Sequence, residues 1–414
     1  MFTAVRVLPV VFAACLFAGG TGAAMARPTA GAADFAGRAG VPTPNLPCGK
    51  PISLSPGVVV PPADLVAVTF VAPDDGFGVT VSQLACRTKE GKSEATQAFP
   101  VRVVTSADGG HTWKVIGKTA PPGVVPAQPG KVVVAFASPQ RGWISANGHL
   151  DETVDGGRRW TASHLGRALV VTVARVGNVV FAVTSDPWRL WRLDLPSGTW
   201  TRGVVIPSAG VPVYVTTLFA LTALGPEPNE AVVATANYGD IPPEIAVTRN
   251  GGASWRVSAD PCTHPTWVGV AALAEAADGT MAVLCAGGSA AGSGTRGFYV
   301  STDSGATWGL RAADTDLSGP NRSGIPLGDS GDVLAALSAG RFFLAVADGF
   351  AASDDGGRHW SGVAVGGVSG REGFDLGAAG GEGSFAVLTP SETWLLAPGV
   401  GLFRTTDGRA WRAA

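Results

Sequence analysis

An eight-residue pattern returns along this chain at nearly constant spacing, and it constrains the fold more than any other feature. Ser106-Ala107-Asp108-Gly109-Gly110-His111-Thr112-Trp113 recurs as Thr153-Val154-Asp155-Gly156-Gly157-Arg158-Arg159-Trp160. It returns in the segments Thr248–Trp255, Ser301–Trp308 and Ser353–Trp360, with Asn250, Asp303 and Asp355 at the acidic position. A form one residue shorter, with Asp407 and Trp411, closes the chain. Successive tryptophans lie 47, 95, 53, 52 and 51 residues apart, and the long interval holds a worn copy, Pro196-Ser197-Gly198-Thr199-Trp200. Counting that copy gives seven units of about 50 residues, a period at which small sheets stack into repeat architectures.

Each unit reads as four short strands. The first shows Leu65–Phe70, Gly76–Val81, Val101–Thr105 and Trp113–Ile116, all rich in Val, Thr and Phe and bounded by turn residues. Second strands of later units read as Val179–Val183, Ala231–Thr235, Thr280–Cys285, Phe342–Val346 and Phe385–Thr389. Apart from the N-terminal leader, no long segment carries a helical period. The expected fold is all-β: a seven-bladed β-propeller of four-stranded antiparallel blades spanning residues 48–414. After Trp411 only three residues remain, so the last blade lacks a full outer strand, and Ile52–Val60 is expected to close the ring there.

The repeated motif falls in the hairpin between third and fourth strands. Asp and Asn accept backbone N–H groups in such turns, and glycine supplies positive φ. The tryptophan then buries a large surface between sheets. On this reading Asp108, Asp155, Asn250, Asp303, Asp355 and Asp407 are structural, as are Trp113, Trp160, Trp255, Trp308, Trp360 and Trp411. A turn carboxylate filled by backbone donors has little left for chemistry.

The pattern S/T-x-D-x-G-x-x-W resembles the Asp-box, or BNR, repeat over roughly residues 60–411. That repeat is found in sialidases, other glycoside hydrolases, sorting-receptor ectodomains and the propellers of photosystem-II assembly factors. Gly142-Trp143 leading into Thr153…Trp160 is most similar to the last group. The resemblance implies a propeller with Asp-box hairpins. It does not select an activity, because the repeat serves enzymes and binding proteins alike.

The N-terminus sets the compartment. One positive charge, an apolar run from Val7 to Ala18 and Ala24-Met25-Ala26 read as a signal peptide, residues 1–26. The run is shorter than the roughly 20 apolar residues a membrane span takes. Phe12-Ala13-Ala14-Cys15 is an imperfect lipobox, so a lipoprotein through Cys15 is the alternative. Residues 27–47, rich in Pro, Ala and Gly, read as a flexible spacer. Arg-, Ala- and Gly-rich usage, with every lysine before Val132, resembles that of a GC-rich bacterial coding sequence, so a bacterial envelope or medium is the expected setting. Removal of the leader leaves Cys48, Cys86, Cys262 and Cys285, an even count that suggests two disulfides in an exported chain. Three connectivities are open; nearest neighbours, Cys48–Cys86 and Cys262–Cys285, are the expected pairs, each worth roughly 3–4 kcal/mol.

Alternation of strands separates two faces. The repeated hairpins lie on one. The longest loops, residues 82–99, 237–243, 286–296 and 313–331, fall on the other, and both expected disulfides end there. Loops carry function more often than scaffold, so a binding site is expected on that face. Its candidate contacts are Tyr238, Trp267, His264, Trp188, Arg189, Arg296 and Arg322. The formal net charge of −2 leaves no basic excess for nucleic acid. The five histidines lack metal-ligand spacing. Asp314-Thr315-Asp316 opens like a calcium loop, but its twelfth position is Ile325 rather than Glu. No metal or cofactor is therefore expected. A hydrolytic reading would use Asp240 and Glu244, with Tyr238, as carboxylates across the channel; the arginine motif that opens sialidase domains is missing from the first unit. The function expected is a non-catalytic binding or assembly platform, monomeric, with a protein or glycan partner outside the cytoplasm. The alternative is a glycoside hydrolase with carboxylates on the same face.

Overall fold

The computed structural model describes residues 55–81, 101–117, 132–185, 188–195, 198–206, 231–235, 244–290, 293–314, 323–326, 332–346, 349–365, 383–398 and 400–414. Among them every regular element is a strand except one 3-10 turn, Pro62–Asp64. The strands form seven antiparallel sheets that follow one another along the chain. From the inside outward, the first holds Leu65–Phe70, Gly76–Val81, Val101–Ser106, Trp113–Val115 and Val59–Val60. The second holds Val133–Phe136, Gly142–Ala146, His149–Thr153 and Thr161–Ala162, and the third Val170–Val176, Val179–Thr184, Arg189–Asp194 and Trp200–Val205. The fourth shows three described strands, Ala231–Thr235, Glu244–Thr248 and Arg256–Ala259. The fifth holds Trp267–Glu275, Met281–Ala290, Ser293–Ser301 and Gly309–Asp314. The sixth holds Val333–Ser338, Arg341–Val346, Gly349–Ser353 and Ser361–Gly362, and the seventh Ser384–Val387, Thr393–Ala397, Gly401–Thr405 and Arg412–Ala413.

Burial explains why the inner strands read as unbroken apolar runs. Val179–Thr184 and Thr393–Ala397 are buried at every position, because each second strand has a neighbouring sheet on both faces. Outer strands such as Thr161–Ala162 and Ser361–Gly362 are exposed throughout. The core is therefore a series of interfaces between sheets. Phe77 of the first sheet stacks on Phe136 of the second, with centroids 3.8 Å apart. Phe298 of the fifth meets Phe342 of the sixth edge to face. Ala246 of the fourth sheet joins Val179, Phe181 and Leu190 of the third in one cluster.

Arginines tie several sheets to the next one along the chain. Arg141 donates to Leu195 O at 3.3 Å, and Arg256 donates to Asp303 O at 3.1 Å. Arg192 lies under Gly251, where an added Cβ would sit 2.5 Å from its Nη1. The last sheet does the same to the first. Arg404 lies under Gly109, and the indole of Trp394 donates to Gly109 O at 3.0 Å.

Two sequence expectations are corrected. The N-terminal strand does not complete the seventh sheet. Val59 pairs with Lys114 and Val60 with Trp113, which places the strand on the outer edge of the first sheet. The seventh sheet uses its own short outer strand, Arg412–Ala413, whose residues pair with Arg404 and Phe403. Second, Phe385 belongs to the first strand of the seventh sheet, and the second strand is Thr393–Ala397. The N-terminal strand goes where a backbone edge lies open, and that edge is the outer side of Trp113–Val115. No helix among the described residues is long and apolar enough to cross a membrane.

Candidate functional site

The acidic residue of each repeated hairpin is the first candidate to weigh, and its geometry is closed. In the first hairpin Asp108 Oδ1 accepts the Ser106 hydroxyl at 2.7 Å and the Thr112 N–H at 2.9 Å, while Oδ2 accepts the Thr112 hydroxyl at 2.6 Å. Ser106 Oγ in turn accepts the Gly110 N–H at 2.9 Å, and the Trp113 indole donates to Gly110 O at 2.8 Å. Asp155, Asp303 and Asp355 repeat the scheme, and Asn250 keeps it with its amide oxygen. Asp407 accepts the N–H groups of Arg409 and Ala410. Trp113, Trp160, Trp360 and Trp411 are buried, and Trp255 and Trp308 are half-buried against their sheets. Partial burial raises the Asp108 carboxyl, but hydrogen bonds from Thr112 and Ser106 and the charge of His111 outweigh it and hold it down to about 2. These groups are committed turn acceptors.

The opposite face gathers several candidates at one corner of the fifth sheet. Its second and third strands, Met281–Ala290 and Ser293–Ser301, remain paired to their tip, where Ala290 faces Ser293. A disulfide between Cys262 and Cys285 ties the incoming connection to the second strand, with Cα atoms 5.4 Å apart. Just beyond Cys262, His264 is exposed and its ring centroid lies 5.0 Å from that of Trp267. Trp267 is buried, with Tyr299 edge-on to it at 5.7 Å. It lies against Gly297, where a Cβ would fall 2.3 Å from the indole. His264 is held by Thr266, whose hydroxyl lies 2.8 Å from Nδ1, and the Thr295 hydroxyl donates to Thr266 O at 3.2 Å.

Charge enters this corner as a buried pair. Arg296 is 1% exposed and its Nη2 lies 3.1 Å from Asp332 Oδ1. Asp314, also buried, is the backbone register partner of Arg296 on the neighbouring strand. A buried guanidinium is retained only with a partner such as Asp332. Asp260 is buried as well. Its Oδ1 accepts the Cys262 N–H, and burial pushes its carboxyl up to about 6 against the pull of that hydrogen bond.

Other candidates do not join this corner. Trp188 and Arg189 belong to the third sheet. Trp188 packs against the interface with the fourth sheet, and Arg189 donates to Gly203 O. Glu244 opens the second described strand of the fourth sheet and pairs with Ala259. Ile325, where a calcium loop would need a carboxylate, is fully buried in the interface between fifth and sixth sheets. Tyr238, Asp240, Arg322, Cys48 and Cys86 lie outside the described residues, as does the whole of the first long loop, residues 82–99. Sequence reasoning missed Asp260. Its one signal is local: an Asp two residues before a cysteine, able to accept that residue's N–H in an Asx turn. Among the described residues the one cluster of metal-type side chains is Asp260, Cys262 and Cys285, and both sulfurs are taken up in the disulfide.

Comparison with known proteins identifies the fold. No family model matches the sequence, and no curated protein matches it. Among solved structures, the chain is similar to YCF48 from Cyanidioschyzon merolae, with TM-score 0.53 and 16% identity, covering 85% of this chain and 99% of that one. It is also similar to an ancestral GH74 enzyme, with TM-score 0.53 and 12% identity, covering 87% of this chain. The match spans 47% of that enzyme's length. At such identities the likeness speaks for a β-propeller fold alone.

Proposed function

We propose that this chain is an exported, non-catalytic binding or assembly platform on a closed seven-bladed Asp-box propeller, and that the partner meets the loop-bearing face at the fifth-sheet corner. The observation that carries this reading is the contrast between the two faces. On the hairpin face the repeated carboxylates are spent on their own turns. On the loop face a disulfide-pinned corner presents exposed His264 above Trp267, beside the Arg296–Asp332 pair. An aromatic floor with a polar rim suits protein or glycan contact. The arginine and indole contacts between last and first sheets support ring closure. The leader in residues 1–26 supports export, and the similarity in fold to YCF48 agrees with the assembly-factor resemblance of the repeat.

The test has two arms. Purified residues 27–414 are incubated with aryl glycosides, including a sialoside, and with soluble polysaccharides. The expected result is no turnover. Turnover lost on replacing Asp240 or Glu244 would instead make the chain a glycoside hydrolase. A photo-crosslinker at position 264 is expected to capture one partner in the native envelope, and capture should fail when Trp267 is replaced by alanine. Capture unaffected by that change would remove the fifth-sheet corner from the interface.

A further inference from the structure

One acid in the fifth-sheet corner has no structural task equal to its cost. Asp260 is 3% exposed. Its Oδ1 accepts the Cys262 N–H, but its Oδ2 is equally buried and has no hydrogen-bond partner among the described residues. Buried acceptors are paired in the great majority of cases, so an unpaired buried carboxylate oxygen calls for an explanation. What lies beside it is the disulfide. A carboxylate oxygen of Asp260 and the sulfurs of Cys262 and Cys285 are all within 4.8 Å of one another.

The two sulfurs are not equivalent. Cys262 sits in the connection between sheets, is 7% exposed, and is followed by exposed Thr263 and His264. Cys285 lies inside the second strand and is 0% exposed. An incoming thiolate therefore meets Cys262, and Cys285 is the sulfur that departs. A thiolate released there would be a second negative charge in an apolar site beside a carboxylate, which low dielectric strongly disfavours. The departing sulfur needs a proton at the moment the bond breaks, and Asp260 is the acid within reach.

We propose that Cys262–Cys285 is an exchange-active disulfide for dithiol substrates, with Asp260 as the acid that protonates the departing Cys285 sulfur. The thiolate of the dithiol attacks Cys262 Sγ, and a mixed disulfide forms. The Cys262–Cys285 bond breaks, its electron pair goes to Cys285 Sγ, and that sulfur takes the Asp260 proton. The second thiol of the dithiol, once deprotonated, attacks its partner sulfur in the mixed disulfide and expels Cys262, which takes a proton from solvent. The dithiol leaves oxidised by two electrons, and the protein holds two thiols. In the reverse direction Asp260 accepts the Cys285 proton.

Burial holds the Asp260 carboxyl up to about 6, so the acid form thins out above that pH. Tyr299, from the third strand, is raised by its own burial and then by the Asp260 charge, and stays a neutral phenol in this range. His264, on the same connection, Glu244, whose strand partner is Ala259, and the corner's Arg296, Asp314 and Asp332 are further ionisable groups of this region.

Dithiothreitol serves as the dithiol, acting on the purified full chain without denaturant. From pH 5 to 8, aliquots are quenched with acid and alkylated, alkylation of Cys262 and Cys285 is read by peptide mass spectrometry, and each rate constant is divided by the dithiothreitol thiolate concentration. The normalised constant is expected to fall about tenfold per pH unit above 6, as general-acid participation requires. Asp260→Asn is expected to flatten the profile and to slow reduction about tenfold or more at pH 5, where the acid form dominates. Asp303→Asn, which removes a turn carboxylate on the other face, is expected to keep the parent profile. A flat profile in the unmodified protein would overturn the proposal without recourse to any variant. So would a rate independent of dithiothreitol concentration, since the disulfide would then open only with global unfolding.

Discussion

Phe70 and Trp394 lie face to face, with ring centroids 3.7 Å apart and planes 7° from parallel, and join the first sheet to the last. The Trp394 indole also donates to Gly109 O at 3.0 Å. Arg404 covers the same indole at 5.2 Å while its Nε donates to Glu392 Oε1 at 2.6 Å. Arg141 over Trp143 in the second sheet and Arg341 over Phe343 in the sixth repeat the arginine-over-ring arrangement at 5.2 and 5.3 Å, and Arg141 also donates to Leu195 O of the third sheet. The seam between the two ends of the array thus uses the arginine-over-ring joint that, with Arg141, also links the second sheet to the third. It needs no strand exchanged between first and last sheets.

Replacing Trp394 by alanine should open that seam. The side chain is 0% exposed, and deleting a buried tryptophan costs about 3–5 kcal/mol. Thermal melts of the variant should fall by several degrees, well beyond a Val204→Ala control on an exposed outer strand. A shift no larger than the control would mean that the seam carries little of the stability.

Acid should unfold the protein through its hairpins. Hydrogen bonds from Thr307 and Ser301 hold the Asp303 carboxyl down to about 2, and Asp108 is held at about 2 by its own set. A depressed folded value means stability that is present above the unfolded value, about 4, and is lost as pH falls toward 2. Urea midpoints should therefore hold to about pH 4 and decline steadily below it. Asp303→Asn should soften that decline while leaving pH 7 stability nearly unchanged, because Asn250 already makes the same turn with its amide, accepting the Ser254 N–H at 2.8 Å. An acid limb identical in the variant would remove Asp303 from the account.

The repeat made the strands and hairpins legible because its chemistry is local: Ser, Asp, Gly and Trp within eight positions satisfy one another. What was not legible is non-local. The edge that Val59–Val60 covers and the stacking of Phe70 on Trp394 depend on which sheets become neighbours in space. The fifth-sheet corner was legible in part, through Cys262, His264 and Trp267. Asp260 was not, because a single carboxylate shows its burial only once the sheets around it are assembled.

Ser304 should be improvable. It holds φ at 58°, at a position where Gly109, Gly156, Gly251 and Gly356 stand in sister hairpins with φ between 69° and 77°. A left-handed conformation costs a non-glycine residue roughly 1–2 kcal/mol, part of which glycine gives back in unfolded-chain entropy. Ser304→Gly should raise stability by about 0.5–1 kcal/mol in urea titrations. A loss instead would show that the serine makes a compensating contact.

Gly297→Ala offers a probe of the loop face that spares its polar groups. The new Cβ would lie 2.3 Å from the Trp267 ring, so the indole must move away from its place beside His264. Overpacking of this kind costs about 1–3 kcal/mol and leaves folds intact. Tryptophan fluorescence should shift, and crosslinking from position 264 should weaken. Unchanged fluorescence would mean that the indole had not moved, and normal crosslinking after a clear shift would take Trp267 out of the interface.

Deleting the residues before Pro62 should uncover a backbone edge. Gly57 donates to Val115 O at 2.8 Å, and Val115 donates to Val58 O at 2.9 Å, so the N-terminal strand satisfies the outer side of Trp113–Val115. Val60 is 4% exposed, and losing its burial costs about 1.5–3 kcal/mol. An uncovered edge also presents free N–H and C=O groups to a second molecule. The shortened chain should melt earlier and sediment as larger species at raised concentration, whereas Val60→Ala, which keeps the backbone pairing, should melt earlier yet sediment as the parent does. The comparison separates the two contributions of this strand, apolar burial and edge protection. Parent-like sedimentation by the shortened chain would confine its role to the first.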